Sequence, residues 1–293
     1  MQVLESPKKM QERADQLRGQ GKKLGFVPTM GALHEGHLSL MRRSREENDV
    51  SIISLFVNPT QFDRKEDLEA YPRDLQGDLA KAEAVGVDFV FAPTEEAMYP
   101  SGYQTSVEVE ELARRWEGAS RPGHFKGVAT VVTKLFNIVK PHRAYFGQKD
   151  YQQALIIKRM VQDLNLDVEI VVLPIVREPD GLAMSSRNVH LQPEERKAAL
   201  CLHRSLVYAE ERVYQGERDA KVILEGMRRI LEEEPLARID YVACCHPETL
   251  EPLERIEGTV LFALAVWIGK TRLIDNSLVQ TWKSHWRQEG NMV

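Results

Sequence analysis

The sequence predicts an α/β fold: a parallel sheet with helices on both faces, followed by a smaller α+β domain. Three observations predict it. Short runs rich in Val, Ile and Phe alternate with amphipathic stretches from residue 23 to residue 176, the pattern of successive strand–helix units. The runs are apolar throughout, as strands buried on both faces must be. After Arg177 the order changes to helices followed by strands, with Glu178-Pro179-Asp180-Gly181 as turn chemistry at the change. The expected division is residues 1–177 and residues 178–293.

The elements follow in order. Ser6-Pro7 opens a helix, with a capping hydroxyl and proline in the first turn, and Gly19 and Gly21 end it near Arg18. Leu24 to Val27 reads as a strand broken by Pro28-Thr29-Met30-Gly31, with an amphipathic helix after it. Asp49 to Val57 is a second strand, leading into Asn58-Pro59-Thr60-Gln61-Phe62. A helix through Leu75, Leu79, Ala82 and Val85 stops at Gly86, and Asp88 to Phe91 is a third strand. Thr105 to Val109 alternates as a strand would, and Arg114 to Lys126 reads as a mobile Gly-rich loop. Gly127 to Val139 suits a buried helix or a strand. Arg143 to Phe146 is a strand, Tyr151 to Leu164 a helix and Val168 to Val176 a strand. In the second part, Pro193–Tyr214 and Asp219–Glu233 read as helices. Asp240–Cys245, Thr259–Ile268 and Thr271–Val279 read as strands. Trp267 and Trp282 are expected in the core or an interface, and His190, His203 and His246 as structural residues.

Composition narrows the classes. The 39 basic and 44 acidic residues leave a net charge of −5, against the basic surplus of a nucleic-acid binder. No apolar run reaches membrane-spanning length, and the polar, acid-bearing N-terminus is not a secretory signal. Three cysteines, Cys201, Cys244 and Cys245, form no even framework and suit a reduced, cytoplasmic setting.

Four blocks carry chemistry. The strand–turn–helix Lys23–Leu40 places His34 and His37 at a helix start, where unpaired N–H groups and a partial positive charge suit a phosphate. Gly36 between them lets a flat group approach the backbone. Gln61 follows the second strand and offers an amide that donates and accepts, suited to a hydroxy acid. Gly147-Gln148-Lys149-Asp150 places a compact cation at another strand end, and Asp150 either caps the next helix or binds a ribose hydroxyl. Met184-Ser185-Ser186-Arg187-Asn188 is a phosphate-binding set or a helix-capping turn. Asp74 and Asp78 suit Mg²⁺ or an acidic first helical turn.

The run PTMGALHEGH resembles the HxGH signature of the nucleotidylyltransferase superfamily, shared in variant form with class I aminoacyl-tRNA synthetases. With the other blocks, the chain resembles the pantothenate synthetase family over most of its length. That resemblance implies a Rossmann-like first domain binding ATP and pantoate, and a second domain acting as a lid. It implies Mg²⁺, a homodimer, no nucleic-acid partner and a two-step ligation: pantoate and ATP give an adenylate, which β-alanine's amine then opens. It assigns ATP to Met30, Gly31, His34, Gly36, His37 and Gly147 through Asp150, with His37 as proton donor. It assigns pantoate to Gln61 and Gln153, and Gln61 also to β-alanine. Val176 matches a backbone contact to adenine. Met184, Ser185, Ser186 and Arg187 match the family's form of the KMSKS loop, with arginine for lysine. His34, His37, Lys149 and Arg187 are the expected catalytic set. His124, in Arg121-Pro122-Gly123-His124-Phe125, is a substrate contact or a surface-loop residue. The rival readings are a nucleotidylyltransferase that stops at a nucleotide-capped product, or an aminoacyl-tRNA synthetase relic, and a non-catalytic nucleotide-binding module.

Overall fold

The computed structural model describes residues 1–282. The chain divides into two compact units, the first Met1–Val176 and the second from Arg177 onward.

The first unit is built on a six-stranded sheet: β1 (Gln2–Leu4), β2 (Leu24–Thr29), β3 (Val50–Leu55), β4 (Phe89–Phe91), β5 (Arg143–Gly147) and β6 (Glu169–Leu173). The spatial order is β1-β4-β3-β2-β5-β6 and every pairing is parallel. Period-two alternation sorts the core. Leu24, Phe26, Ile52, Phe91, Ala144 and Phe146 face helices α1 (Pro7–Gly19), α7 (His124–Val139) and α8 (Tyr151–Asp163). Val27, Ile53, Val90 and Tyr145 face the other way, against α2 (Glu35–Glu47) and α4 (Leu75–Ala84). Short helices α3 (Lys65–Ala70), α5 (Glu95–Met98) and α6 (Glu117–Ser120) lie in the connections. From β2 the chain winds outward through β3 and β4, then returns to β5 on β2's other side. The winding therefore reverses between β2 and β5, and the crevice beyond their carboxyl ends is the usual ligand site of an open parallel sheet.

The second unit packs α9 (Pro193–Ala198), α10 (Leu200–Tyr214) and α11 (Ala220–Glu232) with an antiparallel sheet β7-β8-β9. Its strands are β7 (Ala237–Cys245), β8 (Thr259–Ile268) and β9 (Thr271–Gln280). Leu202, Leu206, Ile223, Met227, Phe262, Leu264 and Val266 fill its core. The three cysteines lie buried here as thiols.

Several expectations need correction. Pro28 does not end the first strand. It lacks an N–H, but Ser54 Oγ accepts from the Thr29 N–H at 3.3 Å and Thr29 Oγ1 donates to the Ser54 carbonyl at 2.7 Å, so side chains carry the ladder past it. Residues 105–109 are not a strand; Thr130 Oγ1 takes the Val107 N–H at 2.9 Å, and Val107 and Val109 pack on the core. The expected loop at 114–126 is folded: Gln152 Nε2 donates to the Leu112 and Arg115 carbonyls, Gln152 Oε1 accepts the Glu117 N–H, and α7 already starts at His124. Residues 193–214 form two helices rather than one, parting at Ala199. Trp282 is 65 % exposed and so not in a core, whereas Trp267 is half-buried with Arg238 over its ring. The edge strand β1 and helix α3 are too short to leave a period.

Candidate active site

The loop after β2 is a rigid frame. Gly31 and Ala32 both take left-handed backbone (φ 85° and 51°), turning the chain sharply out of the sheet. Asp78, on α4 and buried, stabilises that turn: its two carboxylate oxygens accept the N–H groups of Ala32 and Leu33, each at 2.8 Å. A Cβ at Gly31 would lie 2.8 Å from that carboxylate, so both the φ and the contact call for glycine. One turn on, Lys81 donates to the Leu33 carbonyl at 2.8 Å. On sequence Asp78 reads as a Mg²⁺ ligand or part of an acidic first helical turn, and Lys81 carries no signal; both act on a loop more than forty residues away in the chain.

This frame presents the two histidines. His34 caps α2, and its Nδ1 accepts the Gly36 N–H at 3.2 Å. His37 Nδ1 accepts the His34 N–H at 3.4 Å. An imidazole that accepts at Nδ1 carries its proton at Nε2, so the capping hydrogen bonds select the same tautomer in both rings. The ring centroids lie 4.1 Å apart, with the planes tilted by 43°. Gly36 also has a structural purpose: a Cβ there would meet His34 Cε1 at 2.9 Å, so glycine lets the His34 ring fold over the helix start.

Electrostatics keep both rings neutral. Burial, and then the positive charge of Lys149, push His34 down to about 4. Burial, then His34 and Lys149, push His37 down to about 3. Asp150 opposes both shifts and Lys81 adds to them. Lys149 stands just past β5, with Nζ 3.2 Å from Asp150 Oδ1. Asp150 precedes α8 without a side-chain capping hydrogen bond, so the capping alternative is not realised. The result is a cation and two neutral N–H donors at the reversal of the sheet, an arrangement fitted to a polyanion.

Gln61 lies past β3, beside β2, in the turn Pro59–Gln61. It is buried, and its Nε2 lies 3.1 Å from Met30 Sδ, which brings the second block against the first. His124 Nδ1 donates to the Gln61 carbonyl at 2.7 Å; Arg121 bonds the same carbonyl and lies 3.3 Å from His124 Nε2. His124 is thus buried behind Gln61 rather than on a surface loop. Gln153 is in the first turn of α8, following Gly147, Gln148, Lys149 and Asp150. Val176 follows the edge strand β6 on the same rim.

Met184, Ser185, Ser186 and Arg187 belong to the second unit. They lead into the short helical turn Ser186–His190, where Ser185 Oγ accepts the Arg187 N–H at 3.2 Å. The chain before them is anchored by Arg177, whose guanidinium forks onto the buried Asp275 carboxylate at 2.7 and 3.0 Å. Among the described residues, no cluster of three or more His, Cys, Asp or Glu side chains could hold a metal. Asp78 spends both oxygens on backbone N–H groups, and Asp74 caps α4 by accepting from Gly77. These acids therefore do not form a cation cage. No helix among the described residues is long and apolar enough to cross a membrane.

Comparison with known proteins identifies the family. Residues 2–278 match the family described as pantoate-beta-alanine ligase. The chain is 57 % identical to the pantothenate synthetase of Thermotoga neapolitana over 95 % of its length and all of that protein's. It is 56 % identical to that of Moorella thermoacetica over 96 % of its length and 99 % of the other's. The crystal structure of pantothenate synthetase from Thermus thermophilus superposes with a TM-score of 0.90 at 47 % identity, covering 97 % of this chain and 100 % of that one. The pantoate-beta-alanine ligase of Francisella tularensis, solved with beta-gamma ATP and beta-alanine, superposes at 0.79 with 37 % identity over 95 % of this chain and 97 % of that one. The family match over residues 2–278 and the 57 % identity to a relative covered along its whole length make this protein a member of the pantoate–β-alanine ligase family.

Proposed function

We propose that the protein joins pantoate to β-alanine at the expense of ATP, through a pantoyl adenylate. Pantoate's carboxylate attacks the α-phosphorus and diphosphate departs; the amine of β-alanine then attacks the acyl carbon and AMP departs. The observation that carries this reading is the pair of neutral Nε2–H imidazoles beside the Lys149 ammonium at the reversal of the sheet. Charge grows on the phosphate oxygens as the α-phosphorus is attacked, and preoriented donors lower the barrier without reorganising. With its pKa at about 3, His37 gives the phosphates a hydrogen bond from Nε2 and no full proton, until the charge of a bound nucleotide raises that pKa.

In this reading Met30, Gly31, Gly36, Gly147, Gln148, Asp150 and the backbone of Val176 surround the nucleotide, while Gln61 and Gln153 hold the acid. Met184, Ser185, Ser186 and Arg187 reach the phosphates when the second unit acts as a lid; two hydroxyls and a guanidinium support that role by chemistry. Excluding water matters because an acyl adenylate hydrolyses readily. Mg²⁺ enters bound to the phosphates of ATP and to water, as that ion prefers. We place the enzyme in the cytoplasm as a homodimer; the three buried thiols support a reducing compartment.

The test is a coupled assay for AMP and diphosphate, with ATP, pantoate and β-alanine omitted in turn. Diphosphate release should require ATP and pantoate, and AMP release should require all three. AMP release at full rate without an amine would overturn the ligase reading.

A further inference from the structure

Behind Gln61 lies a hydrogen-bond relay that fixes which end of its amide meets the substrate. Asn58 is 1 % exposed and uses all four amide hydrogen-bonding positions. Its Oδ1 accepts from Tyr99 OH at 2.8 Å and from Thr60 Oγ1 at 3.0 Å. Its Nδ2 donates to the Gly127 carbonyl at 3.2 Å and to Gln61 Oε1 at 3.0 Å. A carbonyl only accepts, so the nitrogen of Asn58 must face Gly127 and the two ends cannot exchange. Gln61 must then turn its oxygen to Asn58, because its NH₂ there would oppose another NH₂. Its Nε2 is left pointing at Met30 Sδ, 3.1 Å away at the end of β2. A thioether is a weak acceptor, so the amide hydrogens are kept for a stronger one.

The parts are held in place. A Cβ on Gly127 would lie 2.4 Å from the Thr60 carbonyl oxygen and 2.7 Å from the Gln61 nitrogen, so α7 approaches this turn at backbone distance. The Tyr99 ring stacks edge-on to Tyr103 at 5.0 Å and lies under the Lys134 ammonium at 5.5 Å. Burial raises the Tyr99 phenol above its ordinary value, so it remains an O–H donor at physiological pH.

We propose that Asn58, oriented by the Gly127 carbonyl and braced by the Tyr99 hydroxyl, commits Gln61 to present only its NH₂ to the acid, with Tyr99 as a positioning residue that acts through that brace. The site then recognises a substrate oxygen as an acceptor, a carboxylate oxygen or a hydroxyl lone pair, and not a hydroxyl proton. This rests on the reading that Gln61 contacts the acid, and it narrows the sequence-level view that Gln61 both donates and accepts. Thr60 is the minor partner, being exposed.

The experiment is steady-state kinetics on the full chain with each substrate varied. Tyr99→Phe keeps the ring and removes the donor; the KM for pantoate should rise about fivefold, as for one hydrogen bond, with kcat and the KM for ATP within about twofold. Thr60→Val/Tyr99→Phe, which strips both donors from Asn58, should raise it tenfold or more, as about two such bonds. In a Gln61→Ala background Tyr99→Phe should change the pantoate KM no further, a coupling that general destabilisation would not produce. Gln61→Glu should be worse than Gln61→Ala, because it puts an acceptor where a donor is required. An unchanged pantoate KM in Gln61→Ala overturns the underlying contact. A raised KM in Gln61→Ala with none in Tyr99→Phe, or additive effects in the pair, overturns the relay alone. Thermal melts check folding, and Thr60→Val, an exposed change, gives the same test, with a smaller effect, if Tyr99→Phe unfolds.

Discussion

Lowering the pH from 7 to 5 should destabilise the first unit through its two adjoining histidines. Native His34 and His37 titrate at about 4 and about 3, against 6.5 for an ordinary imidazole. At pH 5 both are neutral when folded and largely protonated when unfolded. Below 6.5 the unfolded state therefore binds more protons, and stability falls as pH falls from 6.5 toward the native values. Since pH 5 lies about 1.5 units below 6.5, each ring loses at most about 2 kcal/mol, and the pair about 4 kcal/mol, at 1.36 kcal/mol per pH unit. Urea unfolding at the two pH values should show this loss in the wild type, about half of it in His37→Gln, and little in His34→Gln/His37→Gln. Comparing variants removes the background from His142 and His203, which are also depressed by burial. An NMR titration of the ring Cε1–H resonances gives the native values directly. Midpoints near 6.5, or the same pH-dependent loss in wild type and double variant, would refute the reasoning. A bound triphosphate adds negative charge, so ATP should raise both midpoints, and binding below pH 6.5 should take up protons.

Lys149→Ala should lower pantoate-dependent diphosphate release by about two decades in single turnover, the loss expected when one preoriented transition-state group is removed. Near-normal rates would take Lys149 out of the chemistry. Asp78→Asn should weaken the loop that presents the histidines, because an amide can accept only one of the two N–H groups and sets an NH₂ against the other. We expect about 2–4 kcal/mol off the stability of the first unit by urea unfolding, and a tenfold or greater drop in kcat/KM for ATP. Asp275→Asn breaks a buried fork and should cost the second unit about 3–5 kcal/mol, read from its own unfolding transition.

The sheet is legible because its strands are short, continuously apolar runs, as strands buried on both faces are: Phe26 and Val27, Ile52 and Ile53, Val90 and Phe91 face opposite helical layers, so every position is apolar. The helices that pack on it repeat with their own period, and Ser6, Asp74 and Asp219 announce their helix starts as capping residues do. The histidine pair was legible as a local motif. What holds that motif was not. Asp78 reads as one more acid in a first helical turn, and its task is set by a loop distant in sequence. Tyr99 belongs to no periodic run, and Gly127 reads as the start of an apolar run, yet both meet at Asn58. Pro28 misled because its missing N–H is replaced by hydroxyls, one of them on a neighbouring strand. Short elements such as β1 carry too few residues for any periodicity to register.

The burial of Cys201, Cys244 and Cys245 has a practical consequence. All three sulfhydryls belong to the second unit, so a maleimide or disulfide reagent meets them only when that half opens. Alkylation rates followed by mass spectrometry would therefore clock the breathing of one half of the molecule, with the other half silent.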